Sequence, residues 1–241
     1  MSLPPPPPEL AELPAPVPLD KPEALPWWTA RHAALRAQAQ AMRAAGQAPQ
    51  LVFLGDSITH GWDDVGQPVW QARYAARPAL AMGCWGDRTE HLLWRLQHGA
   101  LDNLAPRLLV LLIGTNDSGD LQAPPARTAA GVWRLLDELQ RRLPASRVLL
   151  LALLPREHAP EAPLRQLNEA VNTRLRALAD GQRVHFLDVG AALTDAADWL
   201  DPALLPDQLH LSEAGYHRLA DAIDPTLDRL LAAAPLDASC P

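Results

Sequence analysis

The sequence has no excess of positive charge: 21 Lys and Arg against 28 Asp and Glu leave a formal net charge of −7. No Lys/Arg block interrupts that balance, which argues against nucleic acid as a partner. Long hydrophobic runs are missing too. The longest, Leu108 to Gly114, has the length of a strand and falls far short of the roughly twenty residues of a membrane helix, so no transmembrane segment is expected. Cysteine is nearly absent: Cys84 and Cys240 lie too far apart for a metal-type spacing and are too few for a disulfide framework. His32, His60, His91, His98, His158, His185 and His217 form no recognised ligand motif, so neither metal nor other cofactor is expected. The N-terminus runs from Met1-Ser2-Leu3 into prolines without a basic segment or an apolar core, and so lacks the pattern of a secretory signal. A Pro-rich start of this kind suits a mature exported chain, periplasmic or secreted, with the cytoplasm as the alternative.

What is present organises as one domain, since 241 residues can bury a sizeable core without a second. Residues 1–26, rich in proline, read as an extended arm that either wraps the domain or stays free. Trp27 and Trp28 mark where packing should begin. The domain then covers 27–235, with a short tail at 236–241. A helix is expected over Thr29–Ala45, an Ala/Arg/Gln-rich stretch without a breaker. Apolar β-type runs follow at Gln50–Gly55, Ala79–Met82, Leu108–Gly114, Val148–Leu154 and Val184–Val189. Helical patterns fall at Thr89–Gln97, Thr128–Leu143, Pro163–Ala179 and Ser212–Ala232. Continuous apolar strands alternating with amphipathic helices imply a parallel sheet covered on both faces, a three-layer α/β/α fold. In such sheets ligands gather at the carboxyl ends of the strands.

Those ends carry the chemistry. The first run closes in Leu54-Gly55-Asp56-Ser57-Ile58-Thr59, which puts a serine on a tight turn beside a helix start. A serine hydroxyl needs a base to become a nucleophile, and helix-end amides can stabilise the oxyanion that follows. Asp56 and Ser57 could equally cap a helix. The third run closes in Ile113-Gly114-Thr115-Asn116-Asp117, where the Asn amide could donate to an oxyanion or build an ordinary turn. Gly83-Cys84-Trp85-Gly86-Asp87-Arg88-Thr89 follows the second run. There Gly86 offers an unobstructed backbone N–H, and Asp87 suits a helix cap. Near the C-terminus Asp207-Gln208-Leu209-His210 supplies an acid and an imidazole in one turn, the pair a general base requires.

These four segments, in this order, resemble the GDSL/SGNH hydrolase family, and within it the platelet-activating-factor acetylhydrolase catalytic-subunit branch with its bacterial relatives. Further similarity lies in Gly86 to Leu96, Leu153-Leu154-Pro155-Arg156, Pro163-Leu164-Arg165 and Leu209-His210-Leu211-Ser212 with Gly215-Tyr216. The resemblance implies a flavodoxin-like fold with a five-stranded parallel sheet in the order 2-1-3-4-5. It also implies Ser57 as nucleophile, His210 as base and then acid, and Asp207 as its orienting partner. The Ser57 and Gly86 backbone N–H groups and the Asn116 side chain would form the oxyanion hole. Asp56, Ile58, Trp85, Thr115 and Leu209 are the candidate substrate pocket.

Trp85 departs from the family, many of whose members carry a small residue before the oxyanion glycine. A positive φ there would strain an indole. Otherwise Trp85 either walls a short acyl pocket or packs in the core. Trp62, with His60, Asp63 and Asp64, could bind the alcohol, a sugar stacked on Trp62 for example, although core packing is the commoner role of such a side chain. The resemblance implies hydrolysis of acetyl-type esters of a lipid, sugar or simple alcohol, and is compatible with a homodimer. Acyl transfer through the same acyl-enzyme stays open, as does a non-catalytic module that binds an anion at a helix start or docks its Pro-rich arm on another protein.

Overall fold

The computed structural model describes residues 3–13 and 15–236. Cys240 and the expected tail from 237 onward lie outside the described residues. The first helix, α1, spans Leu25–Ala44 and begins earlier than its composition suggested, because Pro26 sits in the first turn, where a missing N–H costs nothing. Then come β1 (Leu51–Gly55), α2 (Ser57–His60), α3 (Gln67–Arg73), β2 (Ala79–Gly83) and α4 (Thr89–Gln97). The second half holds β3 (Leu108–Leu112), α5 (Thr115–Leu121), α6 (Pro125–Arg142), β4 (Arg147–Leu151), α7 (Pro163–Arg176), β5 (Val184–Leu187) and α8 (Glu213–Ala232). Among the described residues no helix is long and apolar enough to cross a membrane.

The five strands form one parallel sheet in the order β2-β1-β3-β4-β5, as expected. Leu54 of β1 stands beside Met82 of β2 and Leu111 of β3, and all three are buried. Central strands covered on both faces can be apolar at every position, which is why β1 and β3 read as unbroken hydrophobic runs. Helices α4, α6 and α7 pack side by side, and α3 packs against α8. The segment just after α3 is also tied to α8 by polar pairs: Tyr74 Oη donates to Asp224 at 2.8 Å and Arg77 Nη1 to Asp228 at 2.6 Å. The chain goes left from β1 to β2 and then returns to the right as β3, so the order reverses beside β1. Open α/β sheets bind ligands at such a reversal, and there α2 and α5 begin directly after β1 and β3.

The arm lies along the domain. Pro8–Glu12 forms a short 3₁₀ turn where extended chain was expected, and it packs on α6. The Pro4 carbonyl accepts a hydrogen bond from Trp133 Nε1 at 2.9 Å. Packing begins well before the tryptophan pair, because Leu19 is buried in the core. Of the pair itself, Trp28 is fully buried and Trp27 exposed.

Candidate active site

Ser57 opens α2, a single helical turn after β1. Asp56 is the N-cap, and its Oδ1 accepts the Ile58 N–H at 3.0 Å. The capping reading of Asp56 is therefore realised, and its side chain turns back on the helix. Burial without a second partner for Oδ2 pushes the Asp56 carboxyl up to about 7, with the carboxylates of Asp87 and Asp117 adding to the rise.

The Asp207–His210 segment is an Asx turn. Asp207 Oδ1 accepts the backbone N–H groups of Leu209 (3.0 Å) and His210 (2.6 Å). Its other oxygen lies 2.7 Å from His210 Nδ1, and His210 Nε2 lies 2.9 Å from Ser57 Oγ. Partial burial works against the Asp207 carboxylate, but the bonds from the His210 ring and from the two backbone amides hold its pKa below the usual range. An ionised Asp207 fixes the imidazole proton on Nδ1 and leaves the Nε2 lone pair facing the serine hydroxyl.

Two further contacts hold this turn. Gln208 sits at a left-handed φ of 65°, and both its carbonyl and its Oε1 accept backbone N–H groups from the loop after β4, those of Glu157 and His158. Tyr216, on the first turns of α8, is buried and donates its hydroxyl to the Ile58 carbonyl at 2.7 Å. It also explains Gly61, where a Cβ would stand 1.9 Å from the Tyr216 hydroxyl. Neither contact was foreseen, since both join segments far apart in sequence.

The loop after β2 completes the site. Positive φ falls on Gly86 (76°) and not on Trp85, so the indole carries no backbone strain. Space does not demand the glycine, whose added Cβ would meet nothing nearer than Leu19 Cδ1 at 3.6 Å; conformation does. Trp85 is 44% exposed, which sets aside the core-packing role. Its ring stacks on His210 at 5.1 Å between centroids and 24° between planes. Asp87 does not cap α4. That helix end is served by Asp117, which accepts both the N–H (3.1 Å) and the hydroxyl (2.7 Å) of Thr89. Asp87 is instead a buried hub, accepting from Arg95 Nη1 and Trp28 Nε1, each at 2.6 Å. Burial pushes its carboxyl up, and Arg95 opposes that. Asn116 Nδ2 donates to the Asp87 carbonyl at 2.9 Å, which ties α5 to this loop.

Of the expected pocket residues, Asp56, Ile58 and Thr115 are buried, while Trp85 and Leu209 reach the surface. The sugar platform suggested for Trp62 is overturned. That ring is 2% exposed and packs among Phe53, Trp70, Tyr74 and Tyr216. His60 stacks on exposed Trp27 at 5.6 Å, and Asp63 pairs with Arg31 at 2.5 Å. Arg156, quoted in the sequence only for its similarity to relatives, donates to the Thr115 carbonyl at 2.9 Å beside Asn116.

Known proteins resemble this chain in sequence and in fold. The platelet-activating factor acetylhydrolase IB subunit alpha1 of Homo sapiens is 35% identical over 185 residues, covering 76% of this chain and 78% of that protein. A GDSL-like lipase from Bacteroides thetaiotaomicron superposes with a TM-score of 0.65 at 20% identity over 80% of this chain and 97% of its own. Axe2, an acetylxylan esterase from Geobacillus stearothermophilus, does so with a TM-score of 0.60 at 22% identity, covering 76% of this chain and 94% of its own. The model of the GDSL-like lipase/acylhydrolase family matches residues 53–218, from the middle of β1 to the second turn of α8. The chain belongs to the GDSL-like lipase/acylhydrolase family.

Proposed function

We propose that the protein is a serine esterase for short, acetyl-type esters, with Ser57, His210 and Asp207 as its catalytic triad. One observation carries the reading: the His210 ring bridges Ser57 Oγ at 2.9 Å and Asp207 Oδ2 at 2.7 Å. That is the geometry in which an imidazole can take a hydroxyl proton and keep the resulting charge beside a carboxylate. Ser57 Oγ attacks the ester carbonyl as its proton passes to His210 Nε2. The imidazolium then gives that proton to the departing alcohol, leaving an acyl group on Ser57. Water, deprotonated in turn by His210, attacks the acyl-enzyme, and the imidazolium returns that proton to Ser57 Oγ as the bond to the acyl group breaks and the acid leaves.

Charge on the carbonyl oxygen would be met by three donors. The Ser57 N–H lies in the first turn of α2, where a backbone donor has no partner within the helix. The Gly86 N–H is set by the positive φ of that residue. Asn116 Nδ2 carries two hydrogens and gives one to Asp87; the other is available to the oxyanion. Preorganised donors of this kind cost no reorganisation during reaction. Short acyl groups are favoured by Trp85 standing over His210. The acetylhydrolase and acetylesterase names of the relatives point the same way.

The test is hydrolysis of p-nitrophenyl acetate, butyrate and octanoate by wild type and Ser57→Ala, with fluorophosphonate labelling of both. The expected result is turnover that declines with chain length, and both turnover and label lost in the variant. Undiminished activity in Ser57→Ala would dismiss the triad.

A further inference from the structure

Three consecutive arm residues reach the two segments that carry the proposed oxyanion donors. Leu19 is 3% exposed, and its Cδ1 lies 3.6 Å from the position a Cβ would take on Gly86. Asp20 pairs with Arg88 Nη2 at 2.6 Å, two residues beyond that glycine. Arg88 is itself buried and also pairs with Glu90 at 2.6 Å, so it is a fixed anchor. Lys21 Nζ reaches Asp120 Oδ2 at 2.7 Å. Asp120 stands on α5 four residues after Asn116, one helical turn along and on the same face. The Asn116–Asp87 bond joins the two segments from within, and the arm spans them from outside.

We propose that Leu19, Asp20 and Lys21 are positioning residues, a strap by which the N-terminal arm holds the Gly86 loop and α5 in register so that Gly86 N–H and Asn116 Nδ2 converge on one oxyanion. The proposal rests on the esterase reading above. An oxyanion hole assembled from two loops depends on their relative placement, and an ångström-scale error in such placement lowers rate far more than binding. Leu19 also belongs to the hydrophobic core, whereas Asp20 and Lys21 are exposed side chains whose pairs can be removed without opening that core.

The experiment uses the full chain with two alterations: Leu19→Ala, and Asp20→Asn with Lys21→Gln. Each is assayed for p-nitrophenyl acetate turnover in the wild-type and Asn116→Ala backgrounds. A cooperative thermal melt separates loss of positioning from loss of fold, and the charge-neutral pair, made at exposed side chains, keeps the test available if Leu19→Ala unfolds. Each arm variant is expected to lose about tenfold in kcat with KM changed by less than about twofold. In the Asn116→Ala background the same changes should cost less than about threefold, because one of the donors they align is already gone. An unchanged kcat, or an equal loss in both backgrounds, overturns the strap while the esterase stands. A wild type without Ser57-dependent turnover overturns both.

Discussion

Removing the Asp87 carboxylate should be among the most damaging single changes available to this fold, and the structure sets the size of the effect. In Asp87→Ala, Arg95 keeps its bond to the Met82 carbonyl at 2.5 Å but loses its counter-charge while fully buried. A buried ion left unpaired costs about 3–5 kcal/mol. The Trp28 indole N–H, also fully buried, loses its acceptor for roughly another 1–3 kcal/mol. These terms share one site and do not simply add, so about 5 kcal/mol is the working figure, a large share of the roughly 5–15 kcal/mol that holds a domain folded. The assay is urea unfolding followed by tryptophan fluorescence. The second arm replaces both partners, Asp87→Leu with Arg95→Met, which removes the stranded charge and should recover more than half of the loss. If Asp87→Ala cost less than about 1 kcal/mol, or if the double variant were no better than the single, the hub would not be under the electrostatic load described.

Asn116→Ala should lower kcat about a hundredfold or more with little change in KM; steady-state kinetics on p-nitrophenyl acetate decides, and near-normal turnover removes Asn116 from the oxyanion hole. Trp85→Ala should raise kcat/KM for octanoate relative to acetate by opening the space over His210, and an unaltered chain-length profile would refute the wall. Asp56 titrates near 7 in the folded protein against about 4 when unfolded, so the folded state holds the extra proton between those values. Its contribution to stability therefore falls as pH rises from about 4 to about 7 and is level above. Asp56→Asn, whose Oδ1 can still accept the Ile58 N–H, should flatten the fall in Tm across that window. A slope unchanged from wild type would mean that Asp117, also raised to about 7 by burial, dominates it.

Much of the architecture could be read from residue order because buried parallel strands announce themselves by unbroken apolarity. The same signal overshoots. The third and fourth runs were expected to reach Gly114 and Leu154, yet β3 and β4 stop at Leu112 and Leu151. Ile113, Ala152, Leu153 and Leu154 are buried beyond the ladder, so apolarity reports burial and not pairing. The helices α3 and α5, with 7 residues each, went unseen because one or two turns show no 3.6-residue period, and α2, of 4 residues, was expected only as a helix start beside Ser57. Ser57, Asn116 and the Asp207–His210 turn could be singled out as candidates because each follows a strand or forms a compact local motif, and the structure brings Ser57, His210 and Asp207 together. The Trp85–His210 stack, the Asp87 hub and the reach of Leu19 could not be singled out. Each joins segments distant in sequence, and only the folded chain brings them together.

Tyr216 gives the site a ruler. Its hydroxyl meets the carbonyl of the residue after Ser57, and its backbone belongs to the helix that begins three residues beyond His210. The phenol thus spans the same two parts of the chain that trade a proton in the proposed mechanism, and its fixed length gauges their spacing. The Tyr216–Ile58 bond ties the sheet's reversal point to α8, and a reporter on that hydroxyl would read their spacing without touching Ser57 or His210.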